Sequence, residues 1–182
     1  MAETVSGVVR TDAGMCALWS PASFHGVTDY GTWERGLLDD ADIARHVRAG
    51  SVVPINIGSD GTFAVRVRAA SGQENAVPTE REARFVLVSS EPYLFESQGG
   101  AFVSGLEQIC RDPGPPALSV PIGPGRWAVT VHLVDWEAEP GSKEPSGQPA
   151  PDALPDFLVL VNPAPSTEGF RQALATFERP TT

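Results

Sequence analysis

The side chains of this chain that are capable of acid–base or nucleophilic chemistry are few, and none has the spacing of a known catalytic or metal-binding motif. The histidines belong to no His-x-His or Glu-x-x-His pair, which disfavours a zinc site; they are His25, His46 and His132. Cys16 and Cys110 have no partner at short spacing, so we expect two reduced thiols, with a single disulfide as the alternative. Phosphate-binding loops and nucleophile elbows are absent from the sequence. We therefore expect no catalytic residue, no metal and no cofactor.

His132 is the histidine whose setting best suits a general base. Apolar and polar residues alternate over residues 127–134, which predicts a strand with Thr130 and His132 on its less buried face. The corresponding positions of a similar earlier segment are Arg66 and Arg68. These four residues predict, as one alternative, a small-molecule-binding or enzymatic β-barrel with its pocket between two duplicated halves. A histidine on an ordinary surface would have the same pattern.

An acidic, proline-rich stretch over residues 136–155 is the most biased part of the chain. It holds five prolines and few apolar residues, and such a composition buries too little surface to offset its ordering entropy, so we predict a mobile loop. Trp136 stands between two acids at its start, a setting typical of a binding anchor. Local packing is the competing interpretation for Trp136. The predicted partner-binding residues are Trp136, Asp135, Glu137, Glu139 and Glu144.

The overall charge narrows the classes of partner. With 23 acidic and 13 basic residues, the formal net charge is −10. A phosphate backbone or an anionic membrane surface is bound by clustered cations, so neither nucleic acid nor a membrane is expected as a partner. A basic protein would be attracted to such a surface. Our first hypothesis is therefore a non-enzymatic acidic interaction protein of the inhibitor or immunity type, located in the cytoplasm. Its oligomeric state is not indicated by the sequence.

Two segments about 64 residues apart are similar to one another. The first reads VPI followed by GTFAVRV within residues 53–67, and the second reads VPI followed by GRWAVTV within residues 120–131. Each is followed by a short apolar run, at residues 84–88 and 156–161. Because the apolar positions alternate in both copies, we predict a duplicated hairpin unit that buries Phe63 and Trp127 in equivalent places.

The remaining sequence favours a mainly β domain. We predict an antiparallel β-sandwich or partly closed barrel of about eight to ten strands, as one domain over residues 1–182. Acids at the start and Gly50 at the end of the stretch over residues 39–49 predict a helix. The other predicted elements are a hairpin at 4–10 and 15–20, an aromatic loop at 21–36, a more central strand at 84–89, a hairpin at 93–96 and 101–109, and a C-terminal helix at 167–177. A helical turn over residues 104–111 is the alternative to the end of the second hairpin.

Overall fold

Two β-sheets contain most of the regular structure of the chain. The computed structural model describes residues 2–56, 58–72, 74–166 and 169–178. One sheet has six strands and the other has four, and the sheets do not close into a barrel. The mainly β prediction is confirmed, and the sandwich, not the barrel, is the form that the chain adopts.

Strands follow one another along the chain with three short helices between them. In the described residues the helices are α1 (Tyr30–Leu37), α2 (Asp40–Arg48) and α3 (Glu80–Phe85). The strands are β1 (Glu3–Thr11), β2 (Met15–Trp19), β3 (Val52–Asn56), β4 (Gly61–Ala69), β5 (Val86–Ser89), β6 (Tyr93–Ser97), β7 (Ala101–Gly105), β8 (Leu118–Val120), β9 (Gly125–Val134) and β10 (Phe157–Pro163). The six-stranded sheet has the order β1-β4-β10-β9-β5, with β6 also paired to β9, and the four-stranded sheet has the order β3-β2-β7-β8.

The main hydrophobic core draws residues from both sheets. Alternate residues of β4, β9 and β10 are buried in it, as period-two patterning requires. All five residues of β2 are buried, because this strand lies between β3 and β7. Trp19 ends β2 with no exposed surface, and its indole N–H donates to Ser104 Oγ at 2.9 Å.

Consecutive strands that the sequence presents as hairpins do not pair with one another in the described residues. β1 pairs with β4 in one sheet, whereas β2 pairs with β3 and β7 in the other. The same crossing from sheet to sheet separates β3 from β4, β6 from β7, and β8 from β9. The hairpin predictions are wrong for a physical reason. Two consecutive strands that lie in different sheets, here called an arch, can pack their apolar faces against each other across the core.

The two similar segments contribute the strands on either side of β10. Val67 of β4 and Val131 of β9 both lie opposite Val159. Phe63 and Trp127 are both half-buried and pack against the main core. Each copy is therefore an arch between the sheets, not a hairpin. Because β4 runs parallel and β9 antiparallel to β10, Trp127 lies opposite Pro163 at the end of β10, whereas Phe63 lies near its start. The prediction that both are buried in equivalent places is therefore wrong. The origin of the two copies by duplication stays a prediction.

The third strands of the two copies are not equivalent. β10 lies centrally between β4 and β9. β5 lies at the end of the sheet order and pairs with β9 alone among the described strands, so the prediction of a more central strand at 84–89 is wrong. The first residues of that apolar run are instead the last turn of α3, whose capping box joins Thr79 and Glu82 and starts a helix upstream.

The helix predictions have mixed outcomes. α2 confirms the helix at 39–49, although the Asp39 side chain makes no capping hydrogen bond. The predicted loop at 21–36 contains a 3₁₀ turn and α1, which begins because Asp29 and Thr32 form a capping box. Residues 169–177 are not helical, and residues 167 and 168 of the predicted C-terminal helix lie outside the described residues.

Candidate functional site

The four residues of the predicted pocket lie on the outer face of the six-stranded sheet. On this face, Arg66 and Arg68 of β4 lie in register with Leu158 and Leu160 of β10, which in turn lie opposite His132 and Thr130 of β9. The residues between them in sequence point to the core. The structure therefore brings the predicted residues to one face, and that face is covered by α3, not enclosed between the two halves.

Glu82 of α3 is the residue that organises this outer face, and the sequence reading missed it. Its side chain is only 1% exposed. Its Oε1 accepts hydrogen bonds from Arg66 at 2.9 Å and from Arg68 at 3.0 Å. Its Oε2 accepts from Arg68 at 2.8 Å and from the Thr79 backbone N–H at 2.7 Å. Both oxygens of this buried carboxylate are thus fully hydrogen-bonded.

The pKa of Glu82 follows from these contacts. Burial alone would raise the pKa, but hydrogen bonds from Arg68, Thr79 and Arg66, with the charge of Arg68, lower it from 4.5 to about 2. Glu82 is therefore ionised at every physiological pH. These hydrogen bonds join α3 to the six-stranded sheet. The Arg68 guanidinium donates to Glu82 and also to the Val77 carbonyl.

His132 lies beside this ion cluster and is 9% exposed. Its Nδ1 shares a hydrogen bond of 2.6 Å with Ser89 Oγ. Its Nε2 is buried without a hydrogen-bond partner among the described residues. Burial lowers the pKa of His132, an effect that the nearby charge of Glu82 partly offsets. The imidazole is therefore neutral at pH 7 and packed under α3, a setting that suits structure better than proton transfer to a substrate.

The acidic residues predicted to bind a partner mostly contact the chain itself. Asp135 Oδ1 accepts from the Ala138 backbone N–H at 3.3 Å and so caps a 3₁₀ turn. Glu137 pairs with Lys143 at 2.7 Å, and Glu139 pairs with Arg81 of α3 at 2.5 Å. Glu144 is exposed. The segment also contains backbone hydrogen bonds between Ser142 and Ala150 and between Glu144 and Gln148; its mobility stays a prediction.

Trp136 is partly buried and does not stand free at the start of this segment. It packs against a second hydrophobic cluster on the outer face, formed by Ala76, Val134, Leu154, Leu158 and Leu160. Its indole N–H donates to Asp156 Oδ1 at 2.9 Å. Lys143 Nζ lies 5.9 Å from the centre of its ring. The ring is thus held by packing, by a hydrogen bond and by the only lysine of the sequence.

A groove lined by a different set of residues was not predicted from the sequence. It has a volume of about 460 Å³ and lies between α1, the residues before it and the turn after β7. Its apolar surface includes Tyr30, which is 69% exposed, and Leu38, which is 52% exposed. The lining residues are Val27, Thr28, Asp29, Tyr30, Trp33, Leu38, Glu107, Ile109 and Cys110.

Local sequence positions the aromatic wall of this groove. Tyr30 and Trp33 are three residues apart on α1 and therefore share a helix face. Their rings stack with centres 5.9 Å apart and planes at 21°. Trp33 is fixed by a hydrogen bond of 3.0 Å from its indole N–H to the Leu106 carbonyl. The capping box of Asp29 and Thr32 was the available sequence signal for this helix, and an aromatic pair at helical spacing was the signal for the wall.

Both charged residues in the groove lining are acids, Asp29 and Glu107. Hydrogen bonds from Thr32 lower the pKa of Asp29, so this exposed carboxylate is ionised at neutral pH. Glu107 accepts from the Thr11 hydroxyl at 3.2 Å and from the Asp12 backbone N–H at 3.0 Å. The surrounding stretch, residues 27–42, contains five acids and one arginine. The groove is therefore apolar at its wall and negative at its rim.

The two cysteines are free and lie in different environments. Cys16 is buried in β2, and burial, with the charge of Glu107, raises the pKa of its thiol to about 12. Cys110 is half-buried and lines the groove. His25 is exposed and contacts the Ala22 carbonyl. The two thiols are not bonded to each other in the structure, and the buried Cys16 thiol is a poor nucleophile.

Two further features of the described residues bear on the class of site. No group of three or more His, Cys, Asp or Glu side chains in that part of the chain is arranged to hold a metal ion. Among the described helices, none has the length and apolar character needed to cross a membrane.

Comparison with known proteins gives the fold but no family. No protein-family model matches the chain, and no curated protein matches it. A solved structure described as crocagin biosynthetic gene J aligns with a TM-score of 0.57 and 16% identity, covering 90% of this chain and 98% of that one. ComJ from Bacillus subtilis, an inhibitor of the DNA-degrading activity of NucA, aligns with a TM-score of 0.49 and 10% identity, covering 90% and 99%. The first of these likenesses shows a shared fold.

Proposed function

We propose that the protein is a non-enzymatic interaction protein, of the inhibitor or immunity type, that binds a basic protein through the groove beside α1. The observation that carries this proposal is the combination in one groove of exposed Tyr30 and Leu38 with a rim of acidic residues. An apolar patch rimmed by polar residues is typical of a protein-binding surface. The occupant that fits is a partner segment with apolar side chains and flanking Lys or Arg residues.

The composition of the groove is that of an interface centre. Tyrosine and tryptophan are the residue types most often responsible for binding energy, since they bury large area with little loss of side-chain entropy. Trp33 is already immobilised by packing and by its bond to Leu106. Asp29 and Glu107 supply the negative potential that would steer a cationic partner and fix its orientation.

The surface at residues 135–144 is the second candidate for the same function. Its net negative charge favours it, and Glu144 is exposed. However, Glu137 and Glu139 already have cationic partners within the chain. A partner cation would have to displace Lys143 or Arg81, so less binding energy is available at this surface than at the groove.

The first test compares three forms of the whole chain as baits in lysate of its source cells. The groove variant carries Tyr30→Ser and Leu38→Asn, both at exposed positions that the fold tolerates. The matched control carries Val8→Ser and Leu87→Asn, two equally exposed apolar positions outside the groove. The protein retained by the wild type is then purified and titrated against all three baits.

We expect the groove variant to bind the purified partner at least tenfold more weakly, because two anchors are lost, and the control variant to bind as the wild type does. The partner should be basic, and its affinity should fall with added salt. Equal affinity for the groove variant and the wild type would overturn the proposal. A loss on Glu137→Gln with Glu144→Gln, and not on the groove variant, would place the site at residues 135–144 instead.

A chemical footprint checks the location independently. At neutral pH a maleimide should react with Cys110 and leave Cys16 unmodified, because the Cys16 thiol is buried and stays protonated. Bound partner should slow the alkylation of Cys110 at least tenfold, and alkylated protein should fail to bind. Unchanged alkylation in the saturated complex would contradict docking at the groove.

A further inference from the structure

In the described residues, Lys143 lies against the Trp136 ring and is neutralised by an adjacent acid. Lys143 Nζ lies 5.9 Å from the centre of the Trp136 ring and donates to Glu137 Oε2 at 2.7 Å. The carboxylate that neutralises the lysine belongs to the residue next to the tryptophan. Such a cation is attracted both by the face of the ring and by the neighbouring acid.

The aromatic wall of the groove has the same chemical parts. Asp29 precedes Tyr30, and Glu34 follows it by four residues, so Glu34 lies on the helix face that Tyr30 occupies. Trp33 stacks on Tyr30. Because Tyr30 is 69% exposed, part of its surface remains open to solvent beside these acids.

One basic side chain, Arg35, lies near Asp29, and two other arginines of this region pair with acids outside the groove lining. Arg35 is the only basic residue within 27–42. Its Nη1 and Asp29 Oδ1 lie 3.7 Å and 3.5 Å from the position that a Cβ on Gly31 would take, and its charge contributes to the lowered pKa of Asp29. Arg45 pairs with Asp42 at 2.6 Å, and Arg111 pairs with Asp112 at 2.8 Å. None of the described residues that line the groove is basic.

We infer that the Tyr30–Trp33 pair receives a lysine or arginine side chain of the partner, held over the exposed tyrosine ring between Asp29 and Glu34. This inference rests on the proposed function, and it specifies the chemistry of the anchor: a cation with apolar neighbours, not an apolar side chain alone. An arginine suits the position especially well, because its planar guanidinium can stack on the ring and donate to a carboxylate at the same time.

Two synthetic peptides and two proteins test the anchor. One peptide is a capped hexapeptide that alternates leucine and arginine, and the other replaces each arginine by citrulline, which keeps the shape and removes the charge. The proteins are the wild type and Tyr30→Leu, which retains apolar contact but has no ring. Binding is followed by NMR from the Trp33 indole N–H and the backbone amides of α1.

We expect the arginine peptide to bind the wild type about two- to fivefold more tightly than the citrulline peptide for each cation engaged. Tyr30→Leu should abolish most of that preference while it keeps the affinity for the citrulline peptide. Glu34→Gln should reduce the preference, and Glu80→Gln, an acid of α3 outside the groove, should not.

The outcomes separate this inference from the proposed function. If both peptides bind the wild-type groove equally, the cation anchor is wrong and apolar docking at the groove stands. A charge preference that survives in Tyr30→Leu would also overturn the anchor, because it would show general attraction to an acidic surface. If neither peptide perturbs α1, while the purified partner still loses affinity on Tyr30→Ser with Leu38→Asn, the anchor again fails and the function does not.

Discussion

Two regions of this protein combine aromatic rings with acids, and they differ in what those acids contact. In the segment at 135–155, Trp136 is packed on the outer face, and its acidic neighbour holds Lys143 over the ring. In the groove, Tyr30 is exposed, no described lining residue is basic, and Arg35, outside the lining, acts on Asp29 through its charge. Two regions of similar composition therefore differ in their contacts: the acidic segment pairs its charges within the chain, whereas the groove has an exposed aromatic ring beside acids.

The difference shows why net charge alone does not locate a binding site. An acid that already has a cationic partner contributes little to a new complex, since its gain there is offset by the bond that is lost. The acidic segment holds six acids against one lysine in residues 135–156, yet three of them have contacts with Ala138, Lys143 or Arg81. Which acids remain available to a binding partner therefore depends on the contacts that the fold makes, not on net charge.

The largest effect should come from the buried ion cluster, because α3 also holds the acidic segment through Arg81 and Glu139. Removing one member of a buried cluster leaves uncompensated charge, so Glu82→Ala should lower the free energy of unfolding by about 3–5 kcal/mol. Arg66 and Arg68 would then face each other without a counterion. Urea unfolding at pH 7 measures this effect.

Replacing the whole cluster is the matched control for that variant. Glu82→Leu combined with Arg66→Met and Arg68→Met should recover most of the lost stability, because the remaining side chains are all apolar. Peptide binding at the groove should be unchanged in any folded form of these variants. A loss of stability below about 1 kcal/mol in Glu82→Ala would show that Glu82 does not organise the outer face.

Acid should weaken the same outer face in two steps. His132 has a lowered pKa in the folded state, so the unfolded chain binds more protons and stability falls as the pH drops below about 6.5. Glu82 has a folded pKa of about 2, so its contribution is full above its ordinary value of 4.5 and is lost as the pH falls toward 2. The second step should amount to about 3 kcal/mol.

Urea unfolding measured from pH 8 to pH 2 tests both steps. His46 also has a pKa lowered by burial, so the first step contains contributions from two histidines. His132→Gln should remove part of the first step and leave the second. If the unfolding free energy were constant between pH 4.5 and pH 2.5 in the wild type, the assignment of the low pKa to Glu82 would be wrong.

The sequence predicted the sandwich and the buried faces of β4 and β9, because alternation of apolar residues is a local signal. It did not predict the arches, since a strand pattern carries no information about which neighbour the strand pairs with. Glu82 was overlooked because a glutamate before an apolar run looks like a solvated residue until Arg66 and Arg68 are placed beneath it. The groove was overlooked for the same reason: its two walls, at residues 27–38 and 107–110, are far apart in sequence.

The smallest predicted effect is that of Lys143→Ala, which leaves an aromatic ring beside an acid in the acidic segment, as in the groove. Lys143→Ala removes the cation from the Trp136 ring and leaves Glu137 without its partner. Because this pair is exposed, stability should change by less than about 1 kcal/mol. The arginine hexapeptide should now shift the Trp136 indole N–H signal, which it should leave unmoved in the wild type.

The citrulline peptide is the control for that result, and Lys143→Arg is the matched variant, since arginine can keep both contacts. We expect no shift of the Trp136 signal when the citrulline peptide is added to Lys143→Ala, and none when the arginine peptide is added to Lys143→Arg. The affinity gained in Lys143→Ala should be about two- to fivefold over the citrulline peptide, as at Tyr30. A Trp136 ring that stays silent after Lys143 is removed would mean that an aromatic ring beside an acid is not sufficient to recruit a cation in this protein. The exposure of Tyr30, which the packed Trp136 lacks, would then be the property that separates the two regions.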